Sequence, residues 1–215
     1  MISEETINSA GDLLLRDKPL GRWVRDHLFA PLRLTILSDQ QCGKLGLTSI
    51  NQERIAFARR YVRGRLLDVG CGRNFLVKSY AGFGVGVDVF DWHQGALILK
   101  DTSRLPFRNQ SFDTVAILAA FNHIPNREAV LNDVHRVLKD DGQLVVTMIT
   151  PTLSTIGHRF LWWYSDDWIR GMAEGEVFGF TARQMVAMMA GGGFQLVRHE
   201  RFLYRLNHLY IFTKS

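Results

Sequence analysis

Apolar positions along the 215-residue chain fall into short blocks whose spacing changes from one block to the next. Leu66-Leu67-Asp68-Val69 is a tight apolar run that leads straight into a glycine turn, as a buried strand would. Val85-Gly86-Val87-Asp88 predicts a second strand, and residues 96–99 a short third one. Residues 113–118 (DTVAIL) form a nearly continuous apolar run of strand length, the pattern of a central parallel strand. Between these runs the spacing shifts to three and four. Ser49 and Gln52 stand at capping-box separation, which predicts a helix over 50–62. Residues 74–81 predict a short helix. Asn126 predicts a cap for a helix over 127–138, with Val130, Val134, Val137 and Leu138 on one face and Leu131 beside them. Asp141-Gly142 predicts a turn, and residues 143–148 another strand. Thr181 and Gln184 repeat the capping-box spacing before a helix to Ala190, which Gly191-Gly192-Gly193 ends. Residues 194–201 and 206–213 predict two closing strands. Alternating strands and helices predict an α/β, doubly wound parallel sheet with helices on both faces. Residues 1–48 have weak periodicity and predict a helical cap on a single main domain, residues 49–215.

Composition changes this picture little. Apolar residues make up 47% and charged residues 22%, as in ordinary globular domains. Net charge is +5, which favours anionic partners such as phosphorylated substrates, RNA or membrane headgroups. The basic residues are nevertheless scattered. The densest group is Arg59-Arg60 with Arg63 and Arg65, so the excess reads as solvated surface and nucleic acid is not the expected partner. Cys42 and Cys71 lie in no CxxC pair, so neither a disulfide framework nor a metal site is expected. The same usage suits a reducing cytoplasm. Glu4 and Glu5 do not fit a signal peptide, and no apolar run approaches the roughly 18 residues of a membrane span. Peripheral contact with a membrane stays open, as does oligomeric state.

The chemistry concentrates at Asp68-Val69-Gly70-Cys71-Gly72-Arg73-Asn74 and at Asp88. Glycine lets backbone N–H groups approach a ligand closely, and a helix start behind the turn adds unpaired donors. A carboxylate about 20 residues on is suited to a ribose diol. These features predict a nucleoside-containing cofactor. A phosphate-binding loop would need Lys and Ser/Thr after its second glycine, and they are missing. A dinucleotide turn would need a third glycine at Phe75, which is absent as well. S-adenosylmethionine has no phosphate, and needs only close backbone approach, a ribose carboxylate and an adenine pocket.

Leu66 to Gly72 resembles the first motif of class I S-adenosylmethionine-dependent methyltransferases. The resemblance continues through Gly86-Val87-Asp88, through DTSRLPFRNQSFD at 101–113, and through RVLKDDGQL at 136–144. It covers about residues 50–150 in order and is closest to the small-molecule branch called type 11. It implies a Rossmann-like, seven-stranded, mostly parallel sheet with a C-terminal antiparallel strand. By position it implies that Asp68 orients the glycine loop and engages the methionine amino end, with Gly70, Cys71 and Gly72 lining the approach. Asp88 would hold the ribose hydroxyls, Val89 and Phe90 would press on adenine, and Asp101 and Thr102 would pair with its edge. Ala119 and Ala120 would lie under the methionine chain. The family's third loop glycine is Asn74 here. Asn tolerates left-handed backbone, and its amide is expected to reach the cofactor's carboxylate.

The segment after the fourth strand, Ala119-Ala120-Phe121-Asn122-His123-Ile124-Pro125, lacks the Asn/Asp-Pro-Pro-aromatic motif of amide and base N-methyltransferases. Methyl transfer to a hydroxyl of a small-molecule acceptor is therefore expected, leaving S-adenosylhomocysteine. An RNA or protein methyltransferase, or a non-catalytic cofactor-binding protein, is the alternative. His123 is the candidate general base, ahead of His93 and His158. Phe121, Asn122 and Trp163 are candidate acceptor contacts. The aromatic group Trp162, Trp163, Tyr164 and Trp168 predicts a lid within residues 151–180, a core cluster or a membrane contact.

Overall fold

The computed structural model describes residues 18–149, 177 and 179–215. The predicted lid, with Trp162, Trp163, Tyr164, Trp168 and His158, lies outside the described residues. Among the described residues four helices come first: α1 (Leu20–Leu28), α2 (Ala30–Thr35), α3 (Asp39–Lys44) and α4 (Ile50–Arg59). Ser38 and Ser49 close capping boxes with Gln41 and Gln52 at the starts of α3 and α4. The alternating unit follows as β1 (Leu66–Val69), α5 (Phe75–Ser79), β2 (Gly84–Asp88), β3 (Leu97–Ile98), β4 (Phe112–Leu118), α6 (Arg127–Val137) and β5 (Leu138–Ile149). The described chain ends with α7 (Ala182–Gly191), β6 (Phe194–Phe202) and β7 (Asn207–Lys214).

The described strands form one sheet in the order β3-β2-β1-β4-β5-β7-β6. β1 to β5 pair in parallel, and β7 runs antiparallel to both β5 and β6. The order reverses between β1 and β4, where the chain leaves β1 toward β2 and later returns to the other side. Open α/β sheets leave a crevice at such a point, beyond the carboxyl ends of the strands.

Alternation within the strands divides the core into two layers. Leu67, Val69, Val115, Ile117, Leu144, Val146, Tyr210 and Phe212 face α6 and α7. Leu66, Ala116, Val145, Leu209 and Ile211 face α4 and α5. By parity Asp68 belongs to the second layer, although it is a carboxylate.

Several expected boundaries move. The helix after Ser49 ends at Arg59 rather than at residue 62. The predicted helix over 74–81 has only five residues, Phe75–Ser79, so its dipole contributes little to the glycine loop. Asn126 precedes α6 but makes no side-chain cap; its Nδ2 donates instead to Asp101 Oδ1 at 2.9 Å. The Asp141-Gly142 turn lies inside β5. One residue separates Phe112 from Thr114 on β4, whereas residues 139–142 separate their partners Leu138 and Gln143. Gly142 fits this bulge because a Cβ there would meet Leu138 and the Lys139 carbonyl within 3 Å. Among the described residues no helix is long and apolar enough to cross a membrane.

Candidate cofactor and active site

The site is built at the carboxyl ends of β1, β2 and β4. After Val69 the backbone visits the left-handed region at alternate residues: Gly70 at φ 70°, Gly72 at 53° and Asn74 at 60°. A Cβ on Gly70 would lie 2.6 Å from that of Ala120, so glycine is required for β1 and β4 to close at this point. A Cβ on Gly72 would meet nothing within 4 Å. Gly72 therefore faces open space beside the loop, as a cradle for a ligand would.

Asn74 takes the third left-handed position, and its side chain explains how. Nδ2 donates to the Gly95 carbonyl at 3.3 Å, and Oδ1 packs so close to Gly86 of β2 that a Cβ there would be 2.1 Å away. The amide expected to reach the cofactor's carboxylate is thus turned toward β2 and the 90s loop. Asn74→Val is expected to destabilise the fold by about 1–2 kcal/mol, because a branched side chain strains the left-handed backbone. A fall in the urea midpoint at constant slope would register it; an unchanged midpoint would contradict it.

The two acidic residues have different surroundings. Asp88 Oδ2 accepts the Gly72 N–H at 2.7 Å, and Oδ1 accepts the Phe90 N–H at 3.0 Å. It is therefore Asp88 that orients the glycine loop, a role expected of Asp68. Carboxylate oxygens carry further lone pairs, so Asp88 can still accept from a ligand. Asp68 is buried, and its Oδ1 has no hydrogen-bond partner. Burial, and then the negative charge of Asp88, push its carboxyl up to about 8. An unpartnered buried carboxyl is costly, and is explained if the site is built for a positively charged group. Burial also pushes the Cys71 thiol up, which makes it a packing residue rather than a nucleophile.

The remaining expected residues separate. Val89 is exposed to solvent, and Phe90 packs at a tilt on Trp92 with ring centroids 4.8 Å apart. Arg73 of the loop lies over the same Trp92 ring, 5.8 Å from its centroid. Asp101 forms a local turn, accepting from Ser103 N at 2.8 Å, Ser103 Oγ at 2.5 Å and Asn126. These bonds hold its carboxyl below the usual range. Thr102 beside it is buried.

At the end of β4, Ala119 has φ 52°, and its N–H donates to both the carbonyl and the hydroxyl of Thr147 on β5. Phe121, an expected acceptor contact, is instead fully buried core and packs on Phe180. An apolar ring at the start of a short 3₁₀ turn (Phe121–His123) falls naturally toward α6 and α7. Asn122 is buried too. Its Nδ2 donates to the Val177 carbonyl at 3.2 Å and contacts His123 Nε2 at 3.0 Å, while its own carbonyl accepts from Val177 N and from Arg127. Thr147, Gly95, Asn126 and Arg127 were not foreseen in these supporting roles. No spacing in the sequence marks them, since each acts across the sheet or between loops.

The family model described as a methyltransferase domain matches residues 67–146. A ubiquinone biosynthesis O-methyltransferase of Glaesserella parasuis is 25% identical, over 62% of this chain and 58% of its own length. A ubiquinone/menaquinone biosynthesis C-methyltransferase of Desulfotalea psychrophila is also 25% identical, over 67% and 62%. The chain thus spans about three fifths of the length of these curated relatives. The fold is similar to that of a solved S-adenosylmethionine-dependent methyltransferase from Aquifex aeolicus, with TM-score 0.56, 13% identity and coverage of 83% of this chain and all of that one. A second solved methyltransferase, from Methanosarcina mazei, gives TM-score 0.53 at 18% identity, covering 74% and 96%. Residues 67–146 thus match the methyltransferase-domain family, and the strand order around the glycine loop gives the Rossmann-like fold of these solved S-adenosylmethionine-dependent methyltransferases.

Proposed function

We propose that this protein transfers the methyl group of S-adenosylmethionine to a hydroxyl oxygen of a small molecule. The observation that carries the reading is the end of β4. There Ala120 packs against Gly70 while Gly72 of the same loop faces open space, and His123 follows Ala120 within one turn. When bound, the cofactor supplies a methyl group already activated on a sulfonium sulfur. The protein's task is then mainly proximity and alignment. Asp68 would meet the positively charged end of the ligand, and Asp88 the ribose hydroxyls. Asn122 and Arg127 hold the segment that carries His123, and His123 would take the hydroxyl proton. The relative named a ubiquinone biosynthesis O-methyltransferase makes hydroxyl acceptors related to quinones the first class to try.

The direct test is transfer of labelled methyl from the cofactor to a panel of small catechols, phenols, amines and RNA oligomers. Label in the phenolic ether alone would support the reading. Label in carbon, nitrogen or RNA would replace it. A second expectation concerns the cofactor. Asp88→Ala should weaken S-adenosylmethionine binding at least about tenfold, because charge-assisted bonds to a diol contribute about 1.5–3 kcal/mol each. Calorimetry reads this directly, and an unchanged affinity would remove Asp88 from the site.

A further inference from the structure

The first two described helices are oriented opposite to the usual pattern for a globular domain. On α1, Leu20, Trp23, Val24 and Leu28 share one face at helical spacing, and they are 76%, 48%, 48% and 72% exposed. The opposite face carries Asp26, which is 0% exposed. Asp26 forms an ion pair with Lys18 and accepts the Thr48 N–H at 2.9 Å. The pattern continues into α2. Arg33 is buried, and its guanidinium donates to the Asp26 carbonyl, the Thr48 carbonyl, Glu53 and the Tyr204 hydroxyl. Phe29, Leu32 and Ile36 are exposed. Charged side chains and Leu34 fasten these helices to the domain, and the remaining large apolar ones are left outside. Amphipathic helices of water-soluble domains normally turn the apolar face inward. A contiguous apolar face left outward marks a contact with something other than water.

We propose that this face of α1 and α2 docks on an anionic lipid surface. Charge decides the occupant. Lys18 and Arg33 are engaged by Asp26 and Glu53, so the cations of residues 18–38 left to face outward are Arg22 and Arg25, and Asp26 is the only acid of this stretch. Because Asp26 is buried, this stretch shows no exposed carboxylate, while Arg25 stands exposed at the rim of the apolar face. A second copy of the same surface would set these cations against each other. An anionic headgroup layer would neutralise them while its acyl boundary takes up Leu20, Leu28 and Ile36. Trp23 suits the same boundary, having an apolar body and a polar edge. Its ring lies 3.9 Å from that of His27, which meets Tyr204 edge-on at 5.3 Å. The aromatic part of the face is therefore held by the turn between β6 and β7.

That turn lies at the same sheet edge as the cofactor site. Phe202, Asn207 and Ile149 are in register, and β5 pairs Thr147 with Leu118 at the end of β4. Docking would bring the reactive edge near the lipid. The proposal itself stands on α1 and α2 alone and does not depend on which acceptor is methylated.

The test is sedimentation of the full chain with vesicles of phosphatidylcholine, with and without about one third phosphatidylglycerol. Binding is expected on the anionic vesicles, weakening as salt is raised. The double variant Leu20→Gln with Leu28→Gln should lower partitioning about tenfold or more, since two apolar side chains lose their transfer into lipid. Its melting temperature should not change, because both side chains stand in water in the folded protein. Arg25→Glu should weaken anionic binding alone. Three results would overturn the proposal: no binding to either vesicle, binding undiminished in the double variant, or a dimer in solution that the double variant dissolves.

Discussion

Asp68→Asn is expected to lower affinity for S-adenosylmethionine by about 100-fold, and to remove a pH dependence that the wild type displays. The first effect follows from the loss of a buried charge opposite a cationic ligand group, where charge-assisted bonds are strongest. The second follows from the position of Asp68 at the end of β1, buried and with Oδ1 unpartnered, its carboxyl pushed up to about 8 by burial and by Asp88. In the unfolded chain it would titrate near the ordinary Asp value of about 3.9. Between these two values the ligand-free native state holds a proton that the unfolded state has released. Its stability must therefore fall as pH rises through that window, and level off above the native value. Asn cannot ionise, so the variant should lose this component of the slope. Binding of a cationic ligand favours ionised Asp68, so cofactor binding at pH 7 should release a proton, and at pH 9 it should not. Calorimetry in buffers of different ionisation enthalpy counts that proton. Equal proton counts at both pH values, or a variant that binds as tightly as the wild type, would show that Asp68 meets no cationic ligand.

His123→Ala is expected to lower kcat for a hydroxyl acceptor by about 10²-fold, the contribution typical of a positioned base. The geometry sharpens the test. Nε2 of His123 is within 3.0 Å of the Asn122 amide nitrogen, which also donates to the Val177 carbonyl. A neutral imidazole has one acceptor nitrogen. In this arrangement that lone pair is engaged by Asn122, and the proton transfer requires the amide to yield it. Asn122→Ala should thus free that lone pair, while loosening the contact with residue 177. If His123 instead only braces the loop, its removal should raise KM or lower the melting temperature and leave the shape of the pH–rate profile unchanged. That outcome would remove it from the chemistry.

How much could be read without the fold differs from element to element. Leu66-Leu67-Asp68-Val69 and the DTVAIL run were recognisable as central strands because a strand buried on both faces must be apolar along its length. Ser49/Gln52 and Thr181/Gln184 were recognisable because a capping box is a local bond between residues three apart, and both boxes form. Asn126 misled for the complementary reason. A cap is one of several partners open to an Asn side chain, and Asp101, 25 residues away, took it. Phe121 misled in the same way. Its place after β4 suggested an acceptor contact, but only the packing of α6 and Phe180 shows that the ring fills the core. The inverted face of α1 gave no warning either, since the helical periodicity of its apolar residues is the same whichever way the face is turned.

By itself, then, the chain's sequence determined what is local or periodic: the strands and helices, the glycine loop, the position of Asp88, and through them the likeness of residues 67–146 to a methyltransferase domain. The tertiary structure alone decided what depends on neighbours distant in sequence. It turned the Asn74 amide onto Gly95 and against Gly86. It also assigned the loop-holding bond to Asp88, and left Asp68 buried without a partner for Oδ1. Hydrogen-bond choice, burial and the resulting shift of a carboxyl are properties of surroundings, and surroundings exist only once the sheet has brought β1, β2 and β4 together.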